Sequence, residues 1–368
     1  MSQVRRNVSL SAAVVAALLS AACVTRPVPE SSVRTSSTVA TSSALPRADV
    51  AASASDATLD VWMFDVGQGA CVLVDCPDWD RPILVDCGST TESVNTSYDD
   101  IAASAAALID SLGDPAVVIS HGDKDHYSLV PDIVPPDRTE AVFLGGRRAD
   151  FLAPAKGWLD AAEAAGAEIV TFPRAYFGPR REGLECGSAS VDILSANATL
   201  GTPADSKNGN SIVLAVTYGD VTVVLPGDAE GATETHALAN KDTIGRLAST
   251  QAVIVGSHHG ARTSGSNGSA WAAAWAPITT IFSMAPPAYG HPQCEVVKRY
   301  EGYMPRWGTP HYLTCGEGRR VTRARVETRM LSTHQNGTLL LRIRPTRMMI
   351  YCARRTEPCS GDLPTAGA

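Results

Sequence analysis

VVISHGDKDHYSL (Val117–Leu129) sets four ligand-type side chains directly after an apolar run. His121, Asp123, Asp125 and His126 fall within six residues of one another. The apolar run reads as a buried strand, and a solvated polar loop is the plainest reading of the residues after it. Imidazole and carboxylate are also the ligands of borderline divalent cations such as Zn²⁺ or Mn²⁺. The choice depends on whether the rest of the chain supplies matching groups.

It does. ILV (Ile83–Val85) runs into Asp86-Cys87-Gly88, and VTVVLP (Val221–Pro226) into Gly227-Asp228. AVIVGS (Ala252–Ser257) runs into His258-His259-Gly260, and TTIFSM (Thr279–Met284) leads to Tyr289-Gly290-His291-Pro292. Five apolar strands therefore end in or near His or Asp, the pattern of a site along one edge of a layered α/β sheet. His121 and Asp123 are spaced to share one ion, and Asp125 and His126 to serve a second. Asp228 is the natural bridge and His258 completes a shell. Two ions about 3.5–4 Å apart that share a carboxylate activate water and steady a developing oxyanion. His258 and His259 adjoin, so at least one of them is expected to be structural or to meet substrate.

Around these endings the elements are legible. LDVWMFDVG (Leu59–Gly67), ACVLVDC (Ala70–Cys76) and RPILVDCG (Arg81–Gly88) read as strands, and YDDIAASAAALIDSLG (Tyr98–Gly113) as a helix ended by Gly113. APAKGWLDAAEAAG (Ala153–Gly166) is a second helix. SIVLAVTY (Ser211–Tyr218) and VTVVLP are joined by a two-residue Gly219-Asp220 turn. In a helix over SAWAAAW, Trp271 and Trp275 face the core. Mixed hairpins and crossovers imply an α/β layered fold and exclude an all-parallel doubly wound sheet. No glycine-rich phosphate loop follows a strand, which argues against a nucleotide-binding domain.

The 368 residues are 44% hydrophobic and 19% charged, enough for a substantial core. Net charge is -7, unevenly spread: Lys298–Arg355 holds thirteen basic residues against Glu301, Glu317 and Glu327. That stretch is either a solvated surface or a grip for a polyanion. Residues 1–22 read as an export signal: Arg5 and Arg6, then LSAAVVAALLSAA, too short and Ala/Ser-rich for a spanning helix. Ser20-Ala21-Ala22-Cys23 resembles a bacterial lipobox, implying a lipid anchor on Cys23 and a periplasmic or cell-surface lipoprotein. An ordinary signal peptide, or twin-Arg export, are the alternatives and leave the protein periplasmic or secreted. Residues 23–57 are Ser/Thr/Ala/Pro-rich and read as a flexible tether. Eight further cysteines imply disulfides in an oxidising compartment, with Cys352–Cys359 the most local pair.

The motif series resembles the metallo-β-lactamase superfamily, and within it the hydrolase domain of ComEC-type DNA-uptake proteins. FDVGQGACVLV, ILVDCG, SHGDKDH, NGNSIVLAV, LPGDAE, GSHHGARTS, YGHP and STHQNGTLLLRI follow in that family's order from about Val61 to Ile343. The resemblance implies an αββα four-layer sandwich forming a single domain over 58–350, with a tail over 351–368. It places His121, Asp123, Asp125, His126, Asp228 and His258 at positions binding one or two divalent ions, Zn or Mn, with His259 or His291 replacing or supplementing His258. Asp65, Asp86 and His259 would support the ligands, and Asn208, Asn210 and Ser211 would face substrate. Asp125, Asp228 and His291 would act in catalysis. Three departures stand out: Tyr127-Ser128-Leu129 where a Gly-Gly is usual, Asp123 where a His is usual, and an Arg-rich insertion over about 302–330.

The expected activity is exported, metal-dependent hydrolysis of phosphodiesters by a metal-activated hydroxide, in DNA or another nucleic acid, with no protein partner. A hydrolase of a small ester, lactone or β-lactam is the alternative. A non-catalytic lipoprotein that binds DNA or a partner is the further one.

Overall fold

Strands whose two faces are both apolar need cover on both sides, and this chain has several. In β1 (Leu59–Met63), Leu59, Val61 and Met63 enter one buried cluster while Trp62 enters another. The computed structural model describes residues 57–179, 181–285, 289–318, 320–354, 359 and 362–364. The described residues belong to one unit, Ala44–Ala368. The export signal and all of the tether except Ala57 lie outside the described residues.

The first sheet has nine strands in the order β18 (Asp362–Pro364), β17 (Arg347–Cys352), β16 (Leu339–Arg344), β1, β2 (Cys71–Asp75), β3 (Ile83–Cys87), β4 (Ala116–Ile119), β5 (Ala141–Leu144), β6 (Glu168–Thr171). The expected tail thus supplies an edge strand, Arg347 pairing with Pro364. The second sheet has seven: β15 (Met330–Ser332), β12 (Thr279–Phe282), β11 (Gln251–Val255), β10 (Val221–Leu225), β9 (Val213–Tyr218), β8 (Ser190–Ala196), β7 (Tyr176–Pro179). Their facing sides form the central core, Val61, Val74 and Leu341 from one sheet with Ile193, Leu214 and Val223 from the other.

Helices cover the outer faces. α1 (Tyr98–Leu112) and α3 (Ala153–Ala165) bury Ile101, Ile109, Trp158 and Leu159 on the first sheet, which α2 (Val130–Ile133) also covers. α4 (Gly231–Thr243), α5 (Ser269–Trp275) and α6 (Cys294–Glu301) cover the second with Ala237, Trp271, Trp275, Val297 and Tyr300. The architecture is an αββα four-layer sandwich. No helix among the described residues is long and apolar enough to cross a membrane.

Two features position the site. In each sheet a parallel run, β3–β4–β5 and β10–β11–β12, brings consecutive carboxyl ends to one edge. Among the described residues, four disulfides pin the periphery: Cys71–Cys87, Cys76–Cys186, Cys294–Cys315 and Cys352–Cys359.

The Arg-rich insertion is not a loop. It forms an antiparallel ribbon of β13 (Arg306–Glu317) and β14 (Arg320–Thr328) that joins neither sheet among the described residues. The structure also disperses the positive charge seen in sequence. Arg342 pairs with buried Asp60, Arg299 donates to the Asn267 carbonyl, and Arg329 is buried over the Trp307 ring. Exposed basic residues remain on the ribbon and at Lys298, Arg344, Arg347 and Arg354.

Candidate metal centre

Asp86, at the end of β3, adopts a left-handed conformation with φ 54°, which Asp tolerates better than most residues. Its carboxylate turns back to accept the Ser120 N–H at 2.6 Å and His126 Nδ1 at 2.8 Å. Because the carboxylate accepts, Nδ1 of His126 carries the proton and Nε2 keeps its lone pair. That lone pair faces Asp228 Oδ1 at 3.0 Å. Two acceptors at this separation repel unless a proton or a metal cation lies between them.

His259 repeats the arrangement. Its Nδ1 donates to the Ser283 carbonyl at 2.8 Å, leaving Nε2 as a lone pair 3.4 Å from Asp125 Oδ2 and 3.6 Å from Asp228 Oδ1. Nε2 of His121, His126 and His259 and Oδ1 of Asp228 are all buried without a hydrogen-bond partner among the described residues. Buried polar atoms are nearly always paired, so four orphans converging on one point are the mark of an ion site.

Two groups have mutually close ligand atoms, His121 with His126 and Asp228, and Asp125 with His126 and His259, so His126 is common to both. About Asp228, His126 and His259 approach Oδ1. On the Oδ2 side are His121 Nε2 at 3.8 Å and His258 Nε2 at 3.5 Å, with Asp123 Oδ2 3.6 Å from His121 Nε2. Ligands held at about 2.1 Å from a metal stand roughly 3.0–3.4 Å apart in octahedral and tetrahedral shells. The observed 3.0–3.8 Å fits such shells with small adjustments. The residues present suit one or two divalent ions.

In the metal-free protein the same carboxylates favour a proton at the histidine nitrogens that would bind the ion. Burial alone would push the His126 imidazole down, but the Asp228 and Asp86 carboxylates hold it well above its usual range. Asp228 and Asp125 likewise outweigh burial and raise His259. Burial would lift the Asp228 carboxyl, yet His126, His259 and His258 keep it well below. Hydrogen bonding to His121 and Lys207 lowers Asp123 to about 2. Burial lowers His291 to about 4, so it stays neutral.

The linkage has a definite sign. Raised His126 and His259 stabilise the metal-free fold fully below the unfolded histidine value, about 6.5, and that contribution is lost as pH rises through their folded values. Lowered Asp228 and Asp123 contribute above the unfolded carboxylate value, about 3.9, and lose their contribution as pH falls through the folded values. In chelator, melting temperature is expected to decline as pH rises above about 6.5, whereas protein loaded with Mn²⁺ should not show this decline, because deprotonated ligands bind metal better. Parallel pH profiles with and without metal would contradict the ion site.

Not every sequence expectation lands in the cluster. Asp65 touches no site histidine: it accepts Ser93 Oγ and Asn95 Nδ2, both at 2.8 Å, and so supports a neighbouring loop. Asn210 is tied to Asp205 and Thr199 and is buried, and Ser211 is fully buried, so neither side chain is exposed toward a substrate. Asn208 reaches His258 Nδ1 at 3.4 Å. His259, expected either to support the ligands or to replace or supplement His258, turns Nε2 toward Asp125 and Asp228. His291 packs edge-on to His258, ring centres 5.9 Å apart, with Nδ1 unpartnered among the described residues.

Two groups were missed in sequence. Lys207 donates to Asp123 Oδ1 at 3.0 Å and the Gly122 carbonyl at 2.9 Å, placing an ammonium at the mouth. Buried Glu234 accepts from Ser257 Oγ and from the Asn267 and Gly268 N–H groups. It thereby fixes the loop on which His258 and His259 sit at φ 49° and 56°. A lone Lys before NGNS and a Glu on a polar helix carry no sequence signal of these roles.

No family model and no curated protein matches this chain. Among solved structures it is similar to the E377D mutant of the CmlA beta-hydroxylase, at 14% identity and TM-score 0.42, covering 78% of this chain and 54% of that one. It is also similar to CmlA, a diiron beta-hydroxylase from Streptomyces venezuelae, at 16% identity and TM-score 0.37, covering 61% and 45%. A third is the metallo-beta-lactamase fold protein YhfI from Bacillus subtilis, at 15% identity and TM-score 0.39, covering 67% and 93%. The chain spans about half the length of the CmlA chains it matches. The metal centre rests on its own geometry.

Proposed function

We propose that this protein is a metal-dependent hydrolase of phosphodiesters that acts on DNA, exported and tethered through Cys23. The observation that supports the reading is the pair of candidate metal groups, one of His121, His126 and Asp228 and the other of Asp125, His126 and His259, with Nε2 of all three histidines and Oδ1 of Asp228 buried and unpartnered among the described residues. Divalent ions bound there supply Lewis acidity and an activated water.

The protein's own groups do the rest. Asp125 is partly exposed and is placed to orient the attacking water and take its proton. Neutral His291 lies beside the entrance and offers a hydrogen bond to the departing oxygen without adding charge. Lys207, released from Asp123, meets a non-bridging phosphoryl oxygen. Carboxylates in both donor sets favour hard cations and an anionic, oxygen-rich substrate over a neutral lactam.

Fluorescent single- and double-stranded DNA, incubated with the protein and either Mn²⁺ or Zn²⁺, tests this. Cleavage should require metal, stop in chelator and fall at least ~10²-fold in Asp125→Asn. Metal binding without cleavage of any phosphodiester, or turnover of a β-lactam or lactone instead, would overturn the reading.

A further inference from the structure

The β13–β14 ribbon begins at the site. The Gly316 N–H donates to the Pro292 carbonyl at 2.8 Å, and Gln293 bridges to Gly316. A Cβ added at Gly316 would lie 2.0 Å from the Gly290 carbonyl oxygen, so the ribbon's tip rests against the loop that carries His291. From there the strands run back toward β15, whose Met330 carbonyl meets His311 Nε2, and Tyr312 stands roughly 14 Å along from Gly316 at about 3.4 Å per residue.

The ribbon has two unlike faces. Leu313, Cys315 and Val326 point inward and join the core beneath α6. On the opposite face, Tyr312 lies across from Arg325, and Thr314 across from Arg323. Tyr312 is 58% exposed, a large aromatic left in water. Arg320 and Arg323 have no ion-pair partner among the described residues. Arg325 and Arg306 share Glu327, each at 2.9 Å. Arg323 and Arg325, with Arg306 reaching Glu327, leave this face a net positive strip, whereas Arg320 and Glu317 alternate onto the other face. Tyr289, 57% exposed, stands between strip and site with its ring 6.1 Å from that of His291.

We propose that this face binds single-stranded nucleic acid and feeds it to the metal centre, a reading that rests on the proposed phosphodiesterase. Cations spaced along a strip follow one phosphate backbone, and exposed tyrosine rings stack on unpaired bases. In a duplex the base faces are already stacked and cannot meet Tyr312. Asp123, Asp125 and His258 are the partly open ligands of a largely buried cluster, an opening better suited to one strand than to two.

The test is binding of a fluorescein-labelled oligothymidylate to the full protein in chelator, across about 50–200 mM salt. The single strand should bind tighter than a duplex of equal length. Replacing Arg323 and Arg325 by alanine should lower the salt slope by about 1.4, at ~0.7 per phosphate contact. Tyr312→Ala should weaken binding at least ~5-fold while Tyr312→Phe, which keeps the ring, binds as before. Arg344→Ala, an exposed site at the β16–β17 turn, should change nothing. Equal affinity for duplex, unaltered binding by the ribbon variants, or capture of phosphatidylglycerol vesicles without oligonucleotide would overturn the proposal. Turnover of bis(p-nitrophenyl) phosphate by the unmutated protein reads the chemistry separately. Oligonucleotide binding without that turnover would sink the hydrolase and spare the ribbon; turnover without binding would do the reverse.

Discussion

Asp228→Asn is expected to empty both halves of the metal centre together and to lower kcat/KM by two to four decades. The separate oxygens of Asp228 face both sides of the cluster, Oδ1 toward His126 and His259, Oδ2 toward His121 and His258. The amide keeps the shape but loses the charge and turns one oxygen into a donor. Two to four decades correspond to about 3–5 kcal/mol of lost transition-state stabilisation, at ~1.36 kcal/mol per factor of ten. Asp123→Asn should act differently, because Asp123 belongs to the His121 side alone and is 39% exposed. Metal analysis of the two variants distinguishes them: near-complete loss for Asp228, partial loss for Asp123. Equal metal content in Asp228→Asn and the unmutated protein would remove the bridge from the account.

The second large effect is on stability. Cys76 and Cys186 close a loop of 110 residues between the two sheets. β2 runs antiparallel to β3, so Cys76 lies at the start of β3, on the edge opposite Asp86. The disulfide staples the sandwich where no metal does. Restricting a loop of that length is worth about 4.7 kcal/mol, against about 2 kcal/mol for the 7-residue separation of Cys352–Cys359. Replacing Cys76 and Cys186 by alanine should therefore remove a large share of the roughly 5–15 kcal/mol typical of folded domains. Urea midpoints for the two double variants provide the check. Similar losses would show that loop length does not control the effect.

Much of the site was legible because parallel strands announce themselves. Each of Ile83–Val85, Val117–Ile119, Val221–Leu225 and Ala252–Val255 is a short run of largely apolar residues followed by Asp or His, and shared strand direction within each sheet turns these four sequence endings into one edge. What could not be read were facts set by the other ring nitrogen. His258 and His259 are adjacent and identical in type, and only the Ser283 carbonyl decides which lone pair His259 presents. Asp65 has the same strand-end position as Asp86 yet turns to Ser93 and Asn95, a choice made by a loop nearly thirty residues on. Asn210 and Ser211 look polar and available in sequence, but the short helical turn at Asn208–Asn210 rotates them inward. Arg329, Arg342 and Arg299 inflated the apparent basic patch because burial and pairing are invisible to a charge count.

Metal stoichiometry measures most directly whether the buried, unpartnered donors form an ion site. Protein stripped with chelator, dialysed against Mn²⁺ or Zn²⁺ and analysed by mass spectrometry should hold up to two ions per chain, with most of that content lost in Asp228→Asn. Protein that holds no metal under these conditions, or binds it undiminished after Asp228 is replaced, would contradict the account.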